Sequence, residues 1–450
     1  MRLYSSPYLS NWVPTQLGKK LTFDLRSQFQ SWEPFQPLNS FDLYETLQKK
    51  LDPTSPESDE RLQNYIGEVV IKSPTRFEIT FSKVPLRPEA ILSFPVKHRV
   101  PNPNPDAESQ SAINDLFLPP SRYELKESTE NSRTYIRSTP EPDSNSRFHV
   151  AAIKEIKYST IEKAVQALVR GEISMLPSVR GELVTLLQED GRFFVQQRSL
   201  PQTFVLQFNP DTEMLKNTEL RRALAYGVNR QELLHEIILQ TDNPDLGRVI
   251  SAPYPTQNQA YNRLTELRPY DLTLAYSLVQ AAKTNLKEKF GPLKLVCVPD
   301  ERIRQAAEKM VTEWGRIGLE IELVDENAPV DLKSGWDIVL RQHRMAEPIV
   351  EIWPYMTLAE HAKAENLVDL PSWLRQHLVD LENAGDLRTA TRSLQLLHDH
   401  LQANVEMIPL WEINDYIVLR KTISGFPLSP VYPYQNAEHW YSQAWFQTGF

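Results

Sequence analysis

Residues 204–238 read FVLQFNPDTEMLKNTELRRALAYGVNRQELLHEII. The run FVLQF is an apolar strand, and it stops at Asn209-Pro210 because proline has no N–H to continue a ladder. The next segment, NTELRRALAYGV, puts Leu220, Ala223, Leu224 and Gly227 on one helical face. Asn229 then stands where a second helix begins, with Glu232 at its third position. A strand followed at once by two capped amphipathic helices is an α/β unit.

The pattern extends in both directions. Upstream, Ser159 and Glu162 make an S-x-x-E capping box, Ile161, Ala164, Val165 and Leu168 form a buried stripe, and Gly171 ends the helix before a strand in EISML. Downstream, helices are predicted over 270–283 and 303–317, and strands in KLVCVP, LEIELVD and GWDIVLR. This alternation from about residue 210 to 345 predicts an α/β domain with a largely parallel sheet. LPSWLRQHLVDLENA and DLRTATRSLQLLHDHLQAN read as two more helices, and MIPLWEINDYIVLRKTISGF as strands. Before residue 150 the signals are mostly hairpins. LTFDLR is a strand, and NSFDLYETLQKKL is a helix capped by Asn39 or Ser40. EVVIKS and RFEITF pair with Phe77, Ile79 and Phe81 on one face, and SRYELKES pairs with RTYIRS. A turn at Trp32/Pro34 and loops at 99–111 and 141–147 separate them.

Composition bounds the function. The length, 450 residues, allows two or three domains. A net charge of −9 argues against a broad basic face for nucleic acid. The single cysteine, Cys297, excludes an intramolecular disulfide and reads as a small buried hydrophobe. No apolar run reaches the length of a membrane span, and MRLYSSPYLSNWVP lacks a signal-peptide pattern.

No metalloprotease, nucleophile-elbow, P-loop or dinucleotide motif is present. His398-Asp399-His400 looks metal-like, but residues two apart on a helix point about 200° apart, so both rings cannot face one ion. A solvated helix end is the expectation there, and neither metal nor cofactor is expected. The richest stretch is residues 335–348, GWDIVLRQHRMAEP, where a buried strand delivers Arg341, His343, Arg344 and Glu347 to one edge. Ligands of α/β sheets sit at the carboxyl ends of parallel strands, which makes this edge a candidate binding site. Glu347 and Glu351 are four apart but form only a weak acid/base signal.

The order of these units resembles the family 5 extracellular solute-binding proteins, the oligopeptide, dipeptide and nickel-binding components of ABC importers. LTFDLR…W…PFQPLNSFDLYETL, AVQALVRGEISML, the run of residues 204–238, RPYDLTLAYSLVQAA, AAEKMVTEWGRIGLEIELV and IPLWEINDYIVLRKTISGF all follow the family's pattern in order. A glycine of the family's turn after Trp32 is absent, and the family's usual segment ahead of the LTFDLR strand has no counterpart in the few residues before Leu21. The resemblance implies a two-lobed periplasmic-binding-protein-like fold, type II and cluster C-like. It implies an outer subdomain at 17–112, a first-lobe core at 113–210 and 426–450, and a second α/β lobe at 211–425. It further implies a non-enzymatic, extracytoplasmic monomer that binds a peptide or similar small solute between lobes and hands it to an ABC permease.

Phe204, Trp353, Trp411 and Tyr434 are the expected cleft walls, and Asn209, His343, Arg344 and Glu347 the expected polar contacts. In the family an acid in the loop of residues 344–348 holds a peptide α-amine. Here Arg344 stands nearby, which favours an anionic ligand over an ammonium. Two other readings fit the sequence: a ligand-binding module of a larger sensor or regulator, and an interaction protein whose cleft has degenerated.

Overall fold

The computed structural model describes residues 4, 6, 8–25, 39–94, 96–99, 115–117, 123–137, 148–298, 300–324, 335–359 and 362–442. The expected turn at Trp32/Pro34 and the loops at 100–111 and 141–147 lie outside them. No helix among the described residues is long and apolar enough to cross a membrane.

The N-terminal unit is an antiparallel sheet in the order β1-β2-β4-β3, made of β1 (Leu9–Thr15), β2 (Lys20–Leu25), β3 (Ile66–Ser73) and β4 (Arg76–Phe81). Period-2 alternation gives it an apolar face: Leu21, Phe23 and Leu25 lie beside Phe77, Ile79 and Phe81, and Phe23 stacks on Phe77 at 4.7 Å. Helices α1 (Ser40–Leu51) and α2 (Glu60–Tyr65) cover that face with Leu43, Leu47 and Leu62. Asn39 caps α1, accepting from the Phe41 N–H while its own N–H donates to Asp42. This unit has its own core, and α3 (Pro88–Ile91) follows it.

A smaller β region comes next. Strands β5 (Lys97–Arg99) and β6 (Asp115–Phe117) pair with each other. Strands β7 (Tyr123–Ser128), β8 (Ser132–Arg137) and β10 (Ala152–Ile156) form a sheet in the order β10-β8-β7. β9 (Phe148–His149) lies apart from it.

The chain then builds α4 (Ile161–Arg170), β11 (Met175–Val179), α5 (Glu182–Glu189) and β12 (Phe193–Gln197). Thr160, one residue after the expected cap, holds the start of α4, and Gly171 closes it at φ 82°.

The main sheet has six strands. They are β13 (Gln202–Phe208), β14 (Gly247–Val249), β15 (Leu293–Cys297), β16 (Ile321–Val324), β17 (Ile338–His343) and β18 (Met407–Ile413), in the order β14-β18-β13-β17-β15-β16. The sequence predicts a largely parallel sheet, and the structure differs. Only β15 with β16 and β15 with β17 are parallel, whereas β13 runs antiparallel to both β17 and β18, and β14 antiparallel to β18. Strand-then-helix alternation fixes that a crossover exists, but not the direction in which the returning strand is inserted. The expected lobe boundary at residue 210 falls just after β13, a central strand of this sheet.

The sheet's two faces have separate cores. Phe204, Leu206 and Phe208 point to one face, under α6 (Thr218–Tyr226), α8 (Leu272–Leu286) and α9 (Glu301–Arg316), where Trp314 is fully buried and its indole donates to the Leu224 carbonyl at 3.0 Å. Asn217 and Asn229 cap α6 and α7 (Arg230–Glu232), and α7 runs on into a π-helical turn, Leu233–Leu239. Cys297 is buried here. Val205 points to the other face, under α10 (Pro348–Thr357), α11 (Ser372–Glu382) and α12 (Leu387–Asn404). β19 (Tyr416–Arg420) turns back to sit between β11 and β12. β20 (Ile423–Ser424) and β21 (Tyr441–Ser442) pair and return the chain to β9.

Candidate functional site

The antiparallel pairing of β13 with β17 decides which expected residues meet. Thr203 pairs with His343, and Phe208 with Ile338. Asn209, after the C-terminal end of β13, is therefore about 20 Å of strand away from His343. It is occupied locally: its amide donates to the Trp336 carbonyl at 2.8 Å, and its side-chain oxygen accepts the Asp211 N–H at 3.0 Å. In an all-parallel sheet the two ends would share one edge.

Alternation removes two more expected residues from any cleft. Phe204 and Trp411 point to the α6/α8/α9 face, tilted against each other at 6.1 Å, and both are 0% exposed. Tyr434 belongs to a fourth apolar cluster with Tyr123, Phe426 and Trp440, and lies 6.4 Å from Trp440.

His343, Arg344, Glu347 and Trp353 lie along one stretch, the end of β17 and the first turns of α10, and each meets a different partner. Glu347 caps α10, accepting weakly from the Ile349 N–H, and Pro348 takes the first helical position, where a missing N–H costs nothing. Glu347 also pairs with Arg87 of the N-terminal unit at 2.8 Å. Glu351, one turn on, accepts the Glu347 and Ala346 N–H groups at 2.7 and 3.1 Å. Trp353 lies under the Arg61 guanidinium at 5.2 Å.

Arg344 does not offer the free positive charge expected of it. Its guanidinium donates to the Leu200 carbonyl at 2.5 Å and to the carboxylate of Asp415, which is fully buried in the turn between β18 and β19. Asp415 also accepts from Arg198 at 3.2 Å and from Ser178 at 2.6 Å. Arg198 in turn donates to the Val431 carbonyl at 2.6 Å. Burial holds the Arg344 guanidinium down to about 10 against the pull of Asp415, so it stays charged at neutral pH. Asp415, Arg198 and Arg87 are not legible in the sequence. NDY at 414–416 reads as an ordinary polar turn, and nothing local announces that its acid is buried.

The remaining groups offer one acceptor and two donors. A His343 ring nitrogen, Nε2, meets the Pro253 carbonyl, which can only accept, so Nε2 carries the hydrogen and Nδ1 is a bare acceptor. Burial, aided by Arg341, holds this imidazole down to about 4 and keeps it neutral. The ring lies 4.3 Å from Tyr355, whose face carries the Arg341 guanidinium at 4.6 Å. Three buried atoms of this group, His343 Nδ1, the Tyr355 hydroxyl and Trp353 Nε1, have no hydrogen-bond partner among the described residues.

Titration of this edge has a definite sign. Burial pushes the Glu351 carboxyl up to about 7, against the two N–H groups it accepts. Between the ordinary carboxylate range and pH 7 the folded chain therefore keeps a proton that the unfolded chain releases, and this group's contribution to stability falls as pH rises through that window. His343 and His398, both held down to about 4 chiefly by burial, act oppositely, and stability is lost as pH falls from about 6.5 towards 4. Glu351→Gln keeps the acceptor oxygen and removes the charge. Its melting temperature at pH 8 is expected to exceed the parent's, with the gap closing at pH 5. An equal gap at both values would show that the ionised carboxylate is not the cause.

A buried Ser–His pair lies behind the site. Ser251 Oγ is 2.8 Å from His398 Nε2. His398 Nδ1 accepts the Asn262 N–H at 3.1 Å, so the hydrogen is on Nε2 and the ring donates to the serine. That tautomer cannot take the serine's proton, and both residues are 0% exposed, so the pair is a core hydrogen bond. His398 is thus packed inside, where a solvated helix end was expected, while His400 is exposed on the other side of α12.

Comparison with known proteins gives a consistent result. The chain matches the description "Bacterial extracellular solute-binding proteins, family 5 Middle" over residues 7–346. Similar solved structures include NikZ from Campylobacter jejuni in complex with Ni(L-His), at 17% identity and a TM-score of 0.73, covering 97% of this chain and 90% of that one. The oligopeptide-binding protein AppA from Bacillus subtilis, with a nonapeptide, is 12% identical at a TM-score of 0.73 with the same coverage. A dipeptide-binding protein from Pseudoalteromonas sp. SM9913, with Met-Leu, is 13% identical at 0.71, again over 97% and 90%. At these identities the likeness establishes the fold. No curated protein matches.

Proposed function

We propose that this chain, which belongs to the bacterial extracellular solute-binding proteins of family 5, holds a peptide or similar N–H-bearing solute between its N-terminal unit and the β17–α10 edge, and delivers it to an ABC-type permease outside the cytoplasm. The observation that carries this reading is the junction itself. The N-terminal unit has its own apolar core and meets α10 and α11 largely through polar contacts, Arg87 with Glu347, and Arg61 with Glu382 at 3.1 Å and with the Val350 carbonyl at 2.6 Å, with Leu86 packing on the apolar cluster of α10–α12. When such surfaces part, both members of each pair return to water, and the recovered hydration offsets the lost attraction, which a shared apolar core cannot do; this suits surfaces that open and close on a ligand.

The groups left for a solute at this junction are an acceptor, two donors and acids: His343 Nδ1, the Tyr355 hydroxyl and the Trp353 indole N–H, with Glu347 and Glu351 beside them. His343 Nδ1 accepts, Glu347 becomes available only when its pair with Arg87 opens, and Arg344 is neutralised by Asp415 within its own side of the junction. This set suits a peptide, whose α-amine and amide N–H groups meet the acids and the acceptor and whose carbonyls meet the two donors, better than a lone carboxylate. Trp353 and Tyr355 supply apolar contact. Phe204, Trp411 and Asn209 have no part in it, and Tyr434 packs in a separate apolar cluster with Trp440.

Thermal shift with defined pools of di- to pentapeptides, sugars and organic acids tests the reading. A peptide pool is expected to raise the melting temperature in proportion to RT ln(1 + [L]/Kd), and Glu347→Ala to abolish the shift. A shift from the organic-acid pool alone would overturn the N–H-bearing assignment.

A further inference from the structure

On the outer face of the second lobe, α11 and α12 form an antiparallel hairpin that carries two histidines side by side. His377 Nε2 and His400 Nδ1 are 2.6 Å apart, with ring centroids at 4.6 Å. Trp373 stands edge-on to both, at 6.1 and 5.8 Å. His400 is exposed and His377 partly so. We propose that His377 and His400 form a two-nitrogen chelate for a borderline transition-metal dication, Cu²⁺, Ni²⁺ or Zn²⁺, that staples α11 to α12.

The geometry needs little adjustment. Two imidazole nitrogens bound at about 2.0–2.1 Å to one ion stand about 3 Å or slightly more apart, so the rings part by about half an ångström. One ring nitrogen now donates to the other. On metal binding that hydrogen moves to the outer nitrogen of its own ring, leaving both facing nitrogens with lone pairs for the ion. Water fills the remaining positions, since no group of three or more His, Cys, Asp or Glu side chains that could hold an ion occurs among the described residues. Asp380, exposed one turn from His377, adds favourable charge. Imidazole nitrogens select Cu²⁺, Ni²⁺ and Zn²⁺, and hard oxygen-seeking cations such as Mg²⁺ and Ca²⁺ find nothing to bind. The site lies outside the β17–α10 edge and does not depend on the solute reading.

Calorimetric titration of the full chain with the chloride salts of Cu²⁺, Ni²⁺, Mg²⁺ and Ca²⁺ tests it. One equivalent of Cu²⁺ is expected to bind, Ni²⁺ more weakly, and neither hard cation. Affinity is expected to drop at least as far as the about 10–100-fold that loss of a supporting hydrogen bond costs in both His377→Asn and His400→Asn, and to be kept in His235→Asn, whose ring lies near Asp242 elsewhere. Bound Cu²⁺ should quench part of the tryptophan emission, and Trp373→Phe should remove that part while leaving the titration unchanged. Unaltered Cu²⁺ affinity in His400→Asn, or equal binding of Mg²⁺, would overturn the assignment. Because both histidines are at the surface, matched melting temperatures without metal will separate lost binding from lost folding.

Discussion

Asp415→Ala is expected to lower the unfolding free energy by about 3–5 kcal/mol, the cost of removing one partner from a buried charge network. The carboxylate is 0% exposed and accepts from Ser178, Arg198 and Arg344. These donors arrive from β11, the end of β12 and the end of β17, so one acid ties three segments together. Without it two guanidiniums remain partly buried with no counter-charge. Urea unfolding checks the value, and Asp415→Asn separates shape from charge: it should recover only a minor part of the loss. A change below about 1 kcal/mol would place Asp415 with exposed ion pairs and remove the reason Arg344 is unavailable to a ligand.

Gly181→Ala is expected to cost about 2–6 kcal/mol, adding left-handed backbone strain to overpacking. Gly181 opens α5 at φ 66° and ψ −146°, a region that side-chain-bearing residues avoid. A Cβ there would also fall inside the contact distance of the Leu239 carbonyl, which ends the π-helical turn after α7. The neighbour is backbone, so it cannot yield by a rotamer change. Gly191, whose Cβ would meet nothing, supplies the control: Gly191→Ala should stay within about 0.5 kcal/mol. Equal stabilities for the two variants would show that the close approach of α5 to the second-lobe helices is not a constraint.

Local elements were legible because local physics sets them. Asn229 caps the helix it was expected to cap, Asn39 proves to be the cap of the pair Asn39 or Ser40, and the alternation in RFEITF buries Phe77, Ile79 and Phe81. The family pattern was legible too, since it is carried by the order of such elements. What failed to follow from sequence was non-local. The direction of β13 against β17 is set by how the chain crosses between units, and it moves Asn209 to the far end of the strand pair and turns Phe204 and Trp411 inward. Arg344 was visible as a charge beside the site, but its partner Asp415 lies 71 residues away. A charge read from sequence carries no information about who neutralises it.

The central claim is that the N-terminal unit closes on a solute against the β17–α10 edge. Because the only native cysteine, Cys297, is buried, spin labels at Gln48→Cys on α1 and Arg375→Cys on α11 report the separation of the two sides directly. Pulsed dipolar spectroscopy should give a broad distance distribution for the ligand-free double variant. The di- to pentapeptide pool should narrow it to a single, shorter separation, and Glu347→Ala should block that change. A distribution that peptide, sugar and organic-acid pools all leave unchanged would contradict ligand-driven closure at this edge.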